Sequence, residues 1–292
     1  MDFNFINSCF DIVTSFFSTY WEIVLILATT GICAGFLAGL LGVGGGIIFV
    51  PVLYFVFWKV LSMAPQDAII LATGSSLATM IPTSCSSCIS HFRKGNVDIK
   101  LIQKWFVFLL IGVASGIYLS SNFGGLWLTI LFGTILMFAA FNMLFFAKAK
   151  PIFDELPKMP YQAIMPFSIS CISVMLGIGG GTLTVPTLSC FNYDTRKAVG
   201  TAATLGLMIC LPGAVTTLIS DLYNNTNIVN NPPMTIGHIC FLAVLLIIPF
   251  SILMAPIGVI VNKKIPPHVV KRIFACLMIA TSIKMLMSGF GL

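Results

Sequence analysis

Apolar residues run almost unbroken along this chain, and polar residues gather between runs of roughly 20 positions, the length that crosses a ~30 Å hydrocarbon core. The pattern predicts single helical spans at 66–90, 105–121, 126–147, 198–220, 236–261 and 270–288. Two further apolar stretches, 21–58 and 161–191, are interrupted by "GVGGG" (Gly42–Gly46) and "GIGGG" (Gly177–Gly181). Short alternating segments of the kind that build a membrane β-barrel are missing from the sequence. Residues 3–19 mix Phe3, Phe5, Phe10 and Phe16 with polar positions and predict a short helix lying on the membrane surface.

Composition narrows the class. Of 292 residues, 58% are hydrophobic and 8% are charged, against about 25% charged in soluble domains. The nine cysteines match no disulfide framework or zinc spacing. Most stand singly in apolar runs, where Cys behaves as a small hydrophobe. No metal-binding constellation, Walker lysine or soluble βαβ unit is present, so no enzyme activity, cofactor or nucleic-acid partner is expected. The N-terminus lacks a basic region and a cleavage site, so no signal peptide is expected.

Charge supplies the orientation. Nearly all of the 15 Lys and Arg fall in four groups: Arg93, Lys94, Lys100 and Lys104; Lys148, Lys150 and Lys158; Arg196 and Lys197; Lys263, Lys264, Lys271 and Arg272. The positive-inside rule puts these connections in the cytoplasm. The connections Ser120–Leu126 and Asp221–Thr235 carry no Lys or Arg and fall outside. Threading the spans through these sides makes 161–191 begin and end inside, 21–58 begin and end outside, and both termini lie outside. Each glycine cluster then marks the turning point of a doubled-back pair.

The halves repeat. Gly42–Gly46 matches Gly177–Gly181, and Val50-Pro51 matches Val185-Pro186, both at an offset of 135. Further on, "ATGSSLATMIP" resembles "GTAATLGLMICLP", pairing Thr73 with Thr201 and Leu77 with Leu205. One doubled-back pair plus three spans inverts the second half. The expected fold is therefore an all-α polytopic membrane protein of two inverted repeats, an architecture common among secondary transporters. The expected organisation is an N-terminal interfacial segment 1–20, a first repeat 21–147, a cytoplasmic linker 148–160 and a second repeat 161–292.

Broken backbone is tolerated at membrane depth only inside protein or beside a wet cavity. Each cluster should start a short helix whose unpaired N–H groups and partial positive charge suit an anion. Candidate donors are the amides of Gly44, Gly45, Gly46 and Ile47, and of Gly179, Gly180, Gly181 and Thr182. The hydroxyls of Thr73, Ser75, Thr182, Thr201 and Thr204 could add to them, with helix–helix bonding as their alternative use. Gly31, Gly35 and Gly39 have the spacing of a helix-packing face.

The paired "GLLGVGGGIIFVPVL" and "GIGGGTLTVPTL", with the threonine-rich helix after each, resemble the sulfite exporter TauE/SafE family over roughly residues 24–288. The resemblance implies a multi-pass transporter, in a bacterial plasma membrane, of small anions such as sulfite or organosulfonates. Mid-span carboxylates or histidines that could carry protons are missing, which inclines the reading to export. Lys284, high in the last span, is expected to snorkel to the interface. Two other functions remain open at this point: a thiol-redox enzyme or sensor using Cys85 and Cys88, and a scaffold that moves no solute. Oligomeric state is left open.

Overall fold

The computed structural model describes residues 3–145, 156–157, 161–224, 232, 234–262 and 267–290. Lys148, Lys150, Lys158, Lys263 and Lys264, and most of the linker expected at 148–160, lie outside the described residues. Helix α1 (Phe3–Leu41) is followed by α2 (Gly46–Phe55), which continues as a π-helical turn, Val56–Val60. Next come α3 (Pro65–Phe92), α4 (Ile99–Asn122) and α5 (Gly125–Phe145). The second half runs α6 (Tyr161–Leu176), α7 (Gly181–Cys190) and α8 (Thr195–Asn224). A two-strand hairpin, β1 (Thr235–Ile236) with β2 (Ile239–Cys240), precedes α9 (Phe241–Val261) and α10 (Pro267–Gly289).

Among the described residues, five helices are long and apolar enough to cross a membrane: Trp21–Leu41, Pro65–Phe92, Ile99–Asn122, Thr195–Ile219 and Phe241–Val261. Large apolar side chains such as Tyr118, Phe138 and Leu253 stay exposed, as a lipid-facing belt requires, while Phe49, Phe57, Trp105 and Phe132 fill the interior. The span expected at 236–261 starts later than its apolar run: Gly237 (φ 58°) turns the hairpin, and the helix begins only after Cys240. The segment expected to lie apart at 3–19 belongs to the same helix as the first arm, α1, whose side chains are described from Trp21 on.

The halves pack as inverted partners. Helix α1 lies along α9, and its counterpart α6 lies along α4. Helices α3 and α8 pair with each other, as do α5 and α10. The connection after α3 touches the start of α8, where a Cβ on Gly200 would overlap the Asn96 carbonyl. The connection after α8 touches the start of α3, where a Cβ on Gly74 would overlap the His238 carbonyl. The two helices are therefore antiparallel. Small residues bring the long contacts close. Gly31, Gly35 and Gly39 of α1 press on the backbone of Ile247, Ser251 and Ala255, and Gly112 and Gly116 of α4 press on α6. Such close approach lets dispersion act where water drives nothing.

Candidate functional site

The two interruptions are short. Helix α1 stops at Leu41 and α2 starts at Gly46; α6 stops at Leu176 and α7 starts at Gly181. Gly44 (φ 78°) and Gly179 (φ 68°) hold matching left-handed turns that only glycine adopts without strain. Pro51 and Pro186 fall at the sixth residue of each short helix, one turn deeper than a first-turn proline, so each also removes one rung of the ladder.

The corners touch reciprocally. A Cβ on Gly46 would come 2.6 Å from Ile178 Cα, and one on Gly181 would come 2.5 Å from Val43 Cα. These are the same contact seen from the two halves, at the 135-residue offset. Each corner also leans on the long helix of the other half: Gly42 on the Val199 carbonyl, Gly177 on Thr73. Two helix N-termini thus meet inside the protein. In α2 the ladder opens with Ile48 and Phe49 donating to the Gly45 carbonyl, and in α7 with Thr184 donating to the Gly180 carbonyl. The amides before those bonds have no partner within their helices.

The candidate hydroxyls divide. Thr182, in the first turn of α7, is 2% exposed, and its Oγ1 has no partner. Thr73 donates to the Ile70 carbonyl at 2.8 Å but borders the corner through Gly177. Ser75 accepts the Cys240 amide at 2.9 Å, and Thr201 accepts the Asp98 amide at 3.0 Å. Those two bonds are mates: each ties the residue before α9 or α4 to the opposite half. They set the pairing of the long helices at Ser75 with Thr201, an offset of 126, where sequence similarity alone pairs Thr73 with Thr201. The π-helical turn after α2 lengthens the first half here and shifts the register. Thr204 lies deeper along α8, 3.2 Å from the Cys88 thiol.

A cavity of about 420 Å³ reaches toward the corners from one end of the molecule. Its mouth carries Ser121, Asn122 and His238, and its inner wall carries Thr73, Leu77 and Met175. Lys284 lies elsewhere, in a side cavity of about 240 Å³ with Tyr54 and Trp58. Cys85 and Cys88 are both free thiols.

The sequence model of the family described as "Sulfite exporter TauE/SafE" matches residues 27–285. The chain belongs to this family. It is 26% identical to a "Probable membrane transporter protein" of Haemophilus influenzae, over 90% of this chain and 97% of that one. It is 26% identical to the "Probable membrane transporter protein YunE" of Bacillus subtilis, over 91% of this chain and 98% of that one. A "Probable membrane transporter protein" of Methanocaldococcus jannaschii is 27% identical over 83% of this chain and 87% of its own length. No solved structure matches.

The TauE/SafE chain also places residues at the corners that its sequence does not advertise. Met80 of α3 stands between them: a Cβ on Gly44 would lie 2.7 Å from its Cε, and one on Gly179 would overlap it. Ser84, one turn on, is fully buried with no partner for its Oγ. A serine and a methionine in an apolar helix look like packing until the glycine turns are placed beside them. At the other end, Asp98 caps α4 by accepting the Leu101 amide at 3.1 Å, and its second oxygen accepts the Tyr193 hydroxyl. Burial alone would raise the Asp98 carboxyl; bonds from Tyr193 and from the Leu101 and Lys100 amides, with the Lys197 charge, outweigh it and hold it below its usual range. Burial pushes the Tyr193 phenol up, and the bond to Asp98 adds to that.

Proposed function

We propose that this membrane transporter carries small monoanions, of the sulfur-oxyanion or organosulfonate type, through a site where the N-termini of α2 and α7 meet. The observation that carries the reading is the reciprocal contact of the corners, Gly46 on Ile178 and Gly181 on Val43. It aims two helix N-termini at one region of a protein buried in lipid. Each end is worth about +0.5 elementary charge, so the pair balances roughly one negative charge. A dianion would keep an uncompensated charge in a low-dielectric site and is disfavoured.

The basic connections point inward by the positive-inside rule, so the 420 Å³ cavity opens outward and both termini face outside. The membrane supplies a driving force without a second ion. Moving one negative charge out across 100 mV, inside negative, releases about 2.3 kcal/mol. That favours export roughly fiftyfold. The nearest candidates for a donor shell are the amides of Gly44–Ile47 and Gly179–Thr182, with the Thr182 hydroxyl beside them.

The test is flux in reconstituted vesicles under a set potential, with hydrogen sulfite, thiosulfate, sulfate and a simple sulfonate. Monoanions should move at least about tenfold faster than sulfate, a difference of ~1.4 kcal/mol. Gly180→Leu is the decisive variant. Gly180 has a helical φ of −66°, and within 3.5 Å its Cβ would meet only the flexible end of Ile209. The variant should therefore reach the membrane and carry no flux; normal flux would remove the corner from the pathway.

A further inference from the structure

The 126-residue register gives each residue of α3 a mate on α8, and the mates differ at the corners. Gly74 and Gly200 both press on a connecting loop, and Ser75 and Thr201 both accept a capping amide. Further along the helices the same offset matches Met80 with Gly206 and, one turn beyond, Ser84 with Cys210. It still holds at Ser87, which bonds Ala38 of α1, and at Gly213, which lies against Val174 of α6. The corner region is thus filled on one side and vacated on the other.

The vacated side has a polar lining. Gly206 is buried, yet an added Cβ would meet just two atoms within 4 Å: Ser84 Oγ at 3.8 Å and the Gly180 amide nitrogen at 4.0 Å. Among the described glycines at the corners, all others would collide with a neighbour at 3.0 Å or less. Ser84 Oγ also faces the first corner, 3.0 Å from where a Gly44 Cβ would stand. The Cys210 thiol lies near enough to Ser84 to interact with it, but it donates to the Leu207 carbonyl, and the Ser84 hydroxyl is left without a hydrogen bond of normal geometry. A fully buried hydroxyl without a partner is costly, because it has given up water and gained nothing in exchange. Here it stands beside a helix N-terminus and a gap that would take a methyl group without overlap.

We infer that the anion binds off the two-fold axis, between Gly206, the Ser84 hydroxyl and the Gly180 amide, with the Met80 thioether filling the mirror-related half. The inference rests on the transport reading and names which half of the paired corners receives the cargo. Ser84 donates to an anion oxygen. Gly206 supplies the volume that its mate Met80 takes away. Methionine suits the plug because its three rotatable bonds let it yield as the anion passes. One filled half limits the site to one anion at a time.

The experiment measures hydrogen sulfite flux in vesicles, with membrane abundance and melting temperature recorded for each variant. Gly206→Ala adds a methyl that meets nothing closer than 3.8 Å, so it should fold as the parent does and raise KM about tenfold or more. Ser84→Ala should raise KM by a similar factor, and Ser84→Thr, which keeps the hydroxyl, should recover most of it. Hydrogen sulfite should raise the melting temperature of the parent and fail to raise that of Gly206→Ala. A parent-like KM in both Gly206→Ala and Ser84→Ala overturns the off-axis site while leaving the transport reading intact. A parent that moves none of the tested anions overturns both. If Ser84→Ala does not accumulate, Gly206→Ala decides alone.

Discussion

Asp98 shows how much one side chain holds at the junction of the halves. It caps α4, receives the Tyr193 hydroxyl from the α7–α8 connection, and lends its own amide to Thr201. Asp98→Ala removes the cap and leaves Tyr193 without its acceptor, and should lower stability by about 1 kcal/mol or more. The pH dependence has a definite sign. A carboxyl held below its unfolded value stabilises the fold above that unfolded value, and the contribution is lost as pH falls through the lowered folded one. Acidification should therefore lower the melting temperature of the parent more steeply than that of Asp98→Asn, read by thermal unfolding in detergent. Equal slopes would show that the carboxylate does not report on this junction.

Elements explain which parts of the fold were legible. The long spans were, because lipid demands apolar length: α3 and α8 end within a few residues of the sequence expectation. The broken pairs were too, because glycine clusters in a span have few other uses. Gly31, Gly35 and Gly39 do form the packing face that their spacing suggests. Gly39→Leu should drive a side chain into the Ala255 backbone and abolish accumulation of folded protein, whereas Gly124→Ala, with nothing within 4 Å, should leave it unchanged. Abundance after membrane extraction separates the two. Less legible was the interior polarity. Ser84 lies outside the repeated stretch and Met80 is one apolar residue within it, and their place depends on a register that differs by two residues from the one sequence similarity suggests. Ser75 and Thr201 were candidate donors with helix–helix bonding as their alternative use, and here they accept the amides of the residues before α9 and α4. The hairpin before α9 was hidden because its Ile236, Ile239 and Cys240 extend an apolar run.

At the scale of the whole molecule, one end is open and the other is tied. The cavity mouth lies at Asn122 and His238, and the Asp98–Tyr193 bond lies at the end where α8 begins. Cysteine labelling checks the sides this implies. Asn122→Cys should react with a membrane-impermeant thiol reagent added to intact cells, and Lys100→Cys should react only after the cells are opened, each judged against the unmodified chain. The reverse pattern would turn the protein over. The tie has a further bearing on timing. Two copies that trade shapes by an upside-down rotation would rest equally in either posture only if they were identical. Cys240 stands where Asp98 has its counterpart and brings no carboxylate, so one posture would be bolted and the other merely shut. An idle carrier of this build would park on the bolted side, and drawing the bolt would set its clock.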